Sequence, residues 1–136
     1  MAVPPQVHLF FACADAQVDE NNNAVTLWNP IRSLYLPKDV TFPYPCGVIF
    51  FYIFLAEGLG KYHCRIEVKD DDGKIVARTK PKTVEFNAGN RSDGVEFIMR
   101  FPGFDLPHTG VYEFALCANY VEDPLATVHI RFLERM

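Results

Sequence analysis

The sequence of 136 residues has few of the features on which catalytic proteins depend. It contains only two serines, Ser33 and Ser92, and neither lies in the G-x-S-x-G turn that exposes a nucleophilic serine. No C-x-x-C or H-E-x-x-H motif supplies metal ligands at a suitable spacing. His63 and Cys64 are adjacent, but neighbouring residues on a strand point to opposite faces and cannot form a nucleophile–base pair. These absences predict a protein that is not an enzyme and uses neither a cofactor nor a metal.

Basic clusters, long apolar runs and a secretion signal are also missing. The chain has 13 Lys and Arg against 17 Asp and Glu, a net charge of −4, whereas a nucleic-acid or anionic-membrane surface needs a basic stripe. Its longest apolar run is nine residues, but a membrane-spanning helix needs about 20. The first residues lack the basic and apolar regions of a signal peptide. We therefore expect a cytoplasmic protein whose four cysteines are reduced.

Apolar and aromatic residues are abundant. Hydrophobic residues make up 49% of the chain and aromatic residues 14%, with twelve Phe, which excludes a disordered chain. A chain of this length buries roughly two-thirds of its unfolded surface as a single domain. We therefore predict one domain over residues 1–136.

Short apolar segments alternate with turn sequences along the whole chain. Strands are predicted at 7–14, 24–28, 48–56, 61–69, 74–79, 95–101, 110–120 and 127–133, with edge segments at 31–36 and 83–86. No segment keeps a helical period over ten or more residues. The pattern predicts an all-β fold, an antiparallel β-sandwich of about seven to nine strands.

The clearest alternation lies in residues 61–69. Tyr62, Cys64, Ile66 and Val68 would share the buried face, and the residues between them would face water. Asp70–Gly73 follows as a hairpin turn, since Asp-Gly is a strong turn signal. The three aspartates there could hold Ca²⁺, but a solvated turn is favoured because no second acidic loop is evident.

The nine-residue run, Val48–Ala56, is apolar on both faces and predicts the central strand. One face needs cover beyond that of an ordinary two-sheet fold, and its side chains are Ile49, Phe51, Ile53 and Leu55. Either the connection 29–46 or a second copy of the chain could supply that cover. The homodimer is favoured, because the connection contains several prolines and charged residues and would cover an apolar face poorly.

Residues 106–114 (LPHTGVYEF) contain Gly110, Tyr112 and Phe114 at alternate positions. This spacing resembles the tyrosine corner of immunoglobulin-like sandwiches, in which the tyrosine hydroxyl bonds back to the backbone. The resemblance implies an immunoglobulin-like architecture without the cysteine and core tryptophan of antibodies.

Three motifs in order resemble a family of small bacterial proteins of unknown function. They are the opening CADAQVDENNNAVTL at 13–27, the alternating strand with its D-x-x-G hairpin at 66–73, and G-x-Y-x-F at 110–114. The resemblance implies a fold and transfers no active site.

The sequence leaves two candidate functions open. The favoured hypothesis is a protein-binding or self-associating module that acts as a homodimer. The alternative is a carbohydrate or small-ligand module that uses the polar loop 87–94, with Asn87, Asn90, Arg91 and Asp93 as its binding residues.

Overall fold

The computed structural model describes residues 2–22 and 24–135, and every regular element in them is a strand. The twelve strands are β1 (Gln6–Val18), β2 (Val25–Pro30), β3 (Ser33–Leu36), β4 (Tyr44–Pro45), β5 (Ile49–Ala56), β6 (Gly60–Lys69), β7 (Ile75–Arg78), β8 (Lys82–Phe86), β9 (Val95–Phe101), β10 (Asp105–Leu106), β11 (Gly110–Ala118) and β12 (Ala126–Glu134). The predicted all-β class is confirmed. The number of strands exceeds the prediction, chiefly because β4 and β10 are two-residue strands without a sequence signal.

Two large sheets form most of the fold. Sheet I has the order β2-β1-β5-β9, and sheet II has the order β3-β12-β11-β6-β7 with β8 also paired to β6. Strands β4 and β10 form a separate pair. Among the described strands, the predicted antiparallel arrangement holds except for β3 and β12, which pair in parallel. No hairpin connects these two strands, and local sequence therefore does not fix their relative direction.

The core lies between the two sheets. Phe51 of β5 and Phe114 of β11 meet there with ring centroids 5.3 Å apart, and Phe101 of β9 contacts both rings. All three side chains are almost fully buried. Burial of each such side chain contributes roughly 1.5–3 kcal/mol relative to exposure.

The four side chains predicted to need cover from the connection 29–46 or from a second copy of the chain lie in this core. Ile49, Phe51, Ile53 and Leu55 are at most 2% exposed in the single chain. Sheet II covers them, so the assignment of these four side chains to a self-association surface is wrong. Both faces of β5 are apolar, and the sequence pattern could not tell which of them would meet the second sheet.

Strand β6 follows its predicted alternation. Tyr62, Cys64, Ile66 and Val68 are all buried in the core. The exception on the opposite face is Glu67, which is also buried and accepts a hydrogen bond from Arg65 Nε at 3.0 Å.

Tyr112 at the start of β11 is fully buried, and its hydroxyl donates a hydrogen bond to the carbonyl oxygen of His108 at 2.6 Å. The hydroxyl-to-backbone hydrogen bond that the tyrosine-corner resemblance implies is therefore confirmed. This bond fixes the connection between β10 and β11 against the end of sheet II.

Candidate functional site

The outer face of sheet I is the side that points away from sheet II. Strand registers arrange nine of its side chains in three rows across β1, β5 and β9. The central row is Phe11, Tyr52 and Ile98; one flanking row is Leu9, Phe54 and Glu96; the other is Cys13, Phe50 and Arg100. Seven of the nine side chains are apolar or aromatic, and none belongs to the buried core cluster.

Much of this outer face is in contact with solvent. Leu9 is 45% exposed, and Phe11, Phe50, Phe54 and Ile98 are half-buried. The exposed Trp28 extends the apolar area onto β2, where it lies opposite Asp15. Antiparallel sheets that face water are usually polar on that side, so this contiguous apolar area makes the outer face the candidate site.

Aromatic contacts order the outer face. The rings of Phe11 and Tyr52 have centroids 5.4 Å apart across the β1–β5 pair. The β1 register shifts between Val7 and Leu9, and the ring of His8 there lies 5.6 Å from that of Phe54. Pairs of this kind contribute about 0.5–1.5 kcal/mol beyond area burial, so they hold these side chains in place.

Tyr52 is the polar anchor of the outer face. Its hydroxyl donates a hydrogen bond to the carboxylate of Glu96 on β9. Burial, followed by this hydrogen bond and the negative charge of Glu96, raises the pKa of Tyr52 to about 12. The hydroxyl therefore stays protonated at neutral pH and orients the Glu96 side chain.

The two charged residues among these nine side chains lie toward opposite ends of β9. Glu96 and Arg100 are both exposed, and each is two residues from Ile98, the β9 member of the central row. The face thus has an apolar centre, a negative corner and a positive corner along one strand. Sequence reasoning missed this arrangement, because it depends on the pairing of β9 with β5, which the local pattern does not specify.

In the loop 87–94, the two asparagines predicted to bind a ligand bond to the loop itself. Asn87 Oδ1 accepts hydrogen bonds from the backbone N–H groups of Gly89 at 2.8 Å and Asn90 at 3.1 Å. Asn90 Oδ1 accepts from the Asn87 N–H at 2.8 Å, and Asn90 Nδ2 donates to the Glu85 carbonyl at 3.1 Å. These bonds define the loop conformation and occupy both side-chain carbonyl oxygens and the Asn90 amide nitrogen.

Arg91 attaches the same loop to the end of β5. Its terminal nitrogen donates a hydrogen bond to the Glu57 carbonyl at 2.9 Å, and its Nε lies 4.0 Å from a Glu57 carboxylate oxygen. Asp93 is exposed on the loop. Of the four predicted binding residues, the loop therefore leaves Asp93 facing solvent and uses the other three to build itself.

The four cysteines are free, as predicted. Burial is the largest cause that raises the pKa of each thiol, to about 11 for Cys46 and for Cys64. Nucleophilic cysteines need a lowered pKa, so these thiols have the character of core residues.

A second polar cluster lies at the end of sheet II. The turn after β6 places Asp70 and Asp71 beside His108, with one ligand atom from each residue within 4.8 Å of the others. Sequence reasoning considered the aspartates of this turn but missed His108, which is far along the chain. The tyrosine-corner spacing was the available signal, because it fixes the connection that contains His108.

These features define a class of protein: a small all-β protein whose outer sheet face is apolar and flanked by charged residues. The family model described as "Family of unknown function (DUF6941)" matches residues 8–131, and the chain belongs to this family. No curated protein matches the chain. In the described residues, no helix is long and apolar enough to cross a membrane.

Proposed function

We propose that this protein is a non-enzymatic, self-associating module with an immunoglobulin-like sandwich architecture. It forms a two-fold homodimer through the outer face of sheet I. The observation that carries the proposal is the placement of Glu96 and Arg100 at equal distances on either side of an apolar central row. The buried Tyr112 corner supports the immunoglobulin-like part of the proposal.

A two-fold axis along the central row makes the outer face complementary to itself. Rotation about that axis reverses the strand direction and keeps β9 opposite β9. Glu96 of one subunit then lies opposite Arg100 of the other, and Phe50 lies opposite Phe54. Isologous dimers require this kind of self-complementary surface, in which each contact occurs twice.

The apolar side chains supply the driving force. Removal of apolar surface from water is worth roughly 25 cal/mol per Å², and Leu9, Phe11, Phe54 and Ile98 are all accessible to a partner. The opposed strands would pack as aligned sheets, whose strand directions differ by about 30°. Charge pairs at both corners would set the register and disfavour unrelated partners.

Charge reversal tests the dimer. We expect sedimentation equilibrium at micromolar concentration to detect a dimer of the 15.5 kDa chain. Glu96→Lys and Arg100→Glu should each weaken association by about tenfold or more, because like charges then face each other twice. The double variant should recover much of the affinity, since the pairs are restored with reversed sign.

Glu85→Lys is the matched control for these variants. Glu85 is exposed on β8 in sheet II, so the same charge change there should leave association unchanged. Thermal unfolding would report any loss of folding in Glu96→Lys, which also removes the Tyr52 hydrogen bond. A wild-type monomer throughout the concentration range, or a double variant as weak as the single variants added together, would refute this interface.

We also propose a reducing, cytoplasmic location, which four free and largely buried cysteines support. The alternative of a sugar-binding loop finds no support, because Asn87 and Asn90 bond within their own loop.

A further inference from the structure

We propose that Asp70, Asp71 and His108 form a binding site for a first-row divalent metal ion of the Zn²⁺ type. The hairpin turn between β6 and β7 supplies the two carboxylates, and the connection before β11 supplies the imidazole. The proposal replaces the sequence-based expectation of a protein without metal. It is independent of the proposed dimer, because these residues lie at the end of sheet II.

The environment of His108 leaves Nε2 as the metal-binding atom. Nδ1 lies 2.8 Å from the Thr109 carbonyl oxygen, so Nδ1 is the protonated nitrogen and donates this hydrogen bond. In the neutral ring, Nε2 then has a free lone pair, and it faces the carboxylates of Asp70 and Asp71 at 4.0 and 3.9 Å. Metal-bound histidines commonly donate their other N–H to a backbone carbonyl in this way.

The hairpin turn itself fixes the orientation of the Asp70 side chain toward His108. Its side chain is only 7% exposed, and Oδ1 accepts hydrogen bonds from the backbone N–H groups of Asp72 at 3.0 Å and Lys74 at 2.9 Å. Oδ2 makes no hydrogen bond to any described residue and points at His108. This oxygen is therefore available to coordinate a cation.

The three atoms are too far apart for direct contact but close enough for a small side-chain movement to bring them onto one ion. Separations of 3.9 and 4.0 Å are too long for hydrogen bonds. Tetrahedral ligands at bond lengths of about 2.0–2.2 Å lie roughly 3.3–3.6 Å apart, so a bound ion would draw the Asp71 and His108 side chains, which are 60% and 43% exposed, slightly closer. Within residues 2–22 and 24–135, no Lys or Arg nitrogen lies within ion-pair distance of either carboxylate, so a cation would supply the missing positive charge.

The donor set selects the class of metal. Imidazole nitrogen favours zinc and the later transition metals, whereas Ca²⁺ and Mg²⁺ prefer oxygen alone. An open cavity of about 320 Å³ adjoins the two carboxylates and is also lined by Glu113 and His129. Water could complete the coordination from that side. The bound ion would link the β6–β7 turn to the corner that Tyr112 holds.

Calorimetric titration of the full chain with Zn²⁺ tests the site. We expect one equivalent to bind wild type and to raise its melting temperature. Asp71→Asn should weaken binding by about tenfold or more, which is the loss seen even for outer-shell partners of a metal. Asp71 is the preferred variant because its side chain is 60% exposed, so the substitution should leave folding intact.

Asp72→Asn is the matched control, since it removes the same charge from the neighbouring residue, which is outside the cluster. It should bind Zn²⁺ as wild type does. A Co²⁺ spectrum without a thiolate charge-transfer band would exclude binding at the cysteines. The proposal is overturned if wild type does not bind Zn²⁺, or if Asp71→Asn and Asp72→Asn bind equally well.

Discussion

At the scale of single residues, Tyr112 joins the core to the backbone of the connection before β11. Its ring meets Phe132 edge to face with centroids 5.4 Å apart, and its hydroxyl reaches the His108 carbonyl. The residue therefore has two separable contributions to stability, one from the hydrogen bond and one from the packed ring.

We expect Tyr112→Phe to lower the free energy of unfolding by roughly 1–2 kcal/mol, because it leaves a partly buried carbonyl without its donor. Tyr112→Ala should cost about 3–5 kcal/mol through the cavity that it creates. Urea denaturation measures both values. Tyr120→Phe, at a side chain that is 90% exposed, should change little. Wild-type stability in Tyr112→Ala would contradict this role.

Ionisation of Cys64 makes the stability of the core depend on pH in the alkaline range. Burial raises its pKa from the ordinary 9.0 to about 11. The fold therefore favours the neutral thiol, and the stability that this supplies is complete below pH 9. It is lost as the pH rises toward 11, because the unfolded chain ionises first.

We expect the free energy of unfolding to fall between these two pH values. Cys64→Ala should reduce the steepness of that fall, although it lowers stability at every pH by leaving a cavity. Urea denaturation at a series of pH values compares the two slopes. Identical slopes for wild type and Cys64→Ala would contradict a difference in the Cys64 pKa between the folded and unfolded chain.

At the scale of elements, the end of the loop 87–94 depends on a glycine. Gly94 and Gly73 have the same φ of 81°, but only Gly94 is crowded. A Cβ at Gly94 would lie 2.8 Å from the Leu55 carbonyl oxygen and against the Phe54 ring, whereas a Cβ at Gly73 would meet nothing within 4 Å. Substitutions at these two positions therefore distinguish the cost of backbone strain from the cost of steric overlap.

We expect Gly73→Ala to destabilise the protein by about 1–2 kcal/mol through the left-handed backbone alone. Gly94→Ala should cost roughly 1–3 kcal/mol more, because β5 must shift to accommodate the methyl group. Thermal or urea unfolding of the pair measures the difference. Equal losses of stability in the two variants would mean that β5 can shift without an energetic cost.

Most strands could be predicted from local pattern. Residues 61–69 alternate strictly and end at an Asp-Gly turn, and 95–101 coincides with β9. The strand predicted at 7–14 ends too early, because β1 continues through Asp15–Val18 although aspartate favours turns. Pairing with β2 overrides that local tendency and extends β1 to Val18.

The candidate sites were less predictable, because they depend on contacts between distant segments. The apolar strand β5 gave no signal for which face would be outside, and only the register with β9 places Glu96 and Arg100 at its ends. The metal-type cluster likewise needs His108 beside the Asp70 turn. Composition and hydrophobic periodicity predict individual strands, whereas these sites depend on how the strands pair and pack.

At the scale of the whole molecule, the four cysteines report on the fold and on the compartment. We expect native protein to react slowly with a thiol reagent at neutral pH, because burial raises every thiol pKa. After denaturation without reductant, titration should find all four thiols of the chain. Fewer than four would indicate disulfides and would contradict a reducing location.

The parallel pairing of β3 with β12 has a consequence for synthesis on the ribosome. Ser33–Leu36 pairs with residues 131–134 and with no other strand of sheet II. A nascent chain therefore exposes this early segment while nearly all of the remaining sequence is being translated. The β3 edge of sheet II can therefore form only after β12 has emerged from the ribosome. During that delay the nascent protein exposes unpaired backbone groups and apolar side chains, which a chaperone can bind.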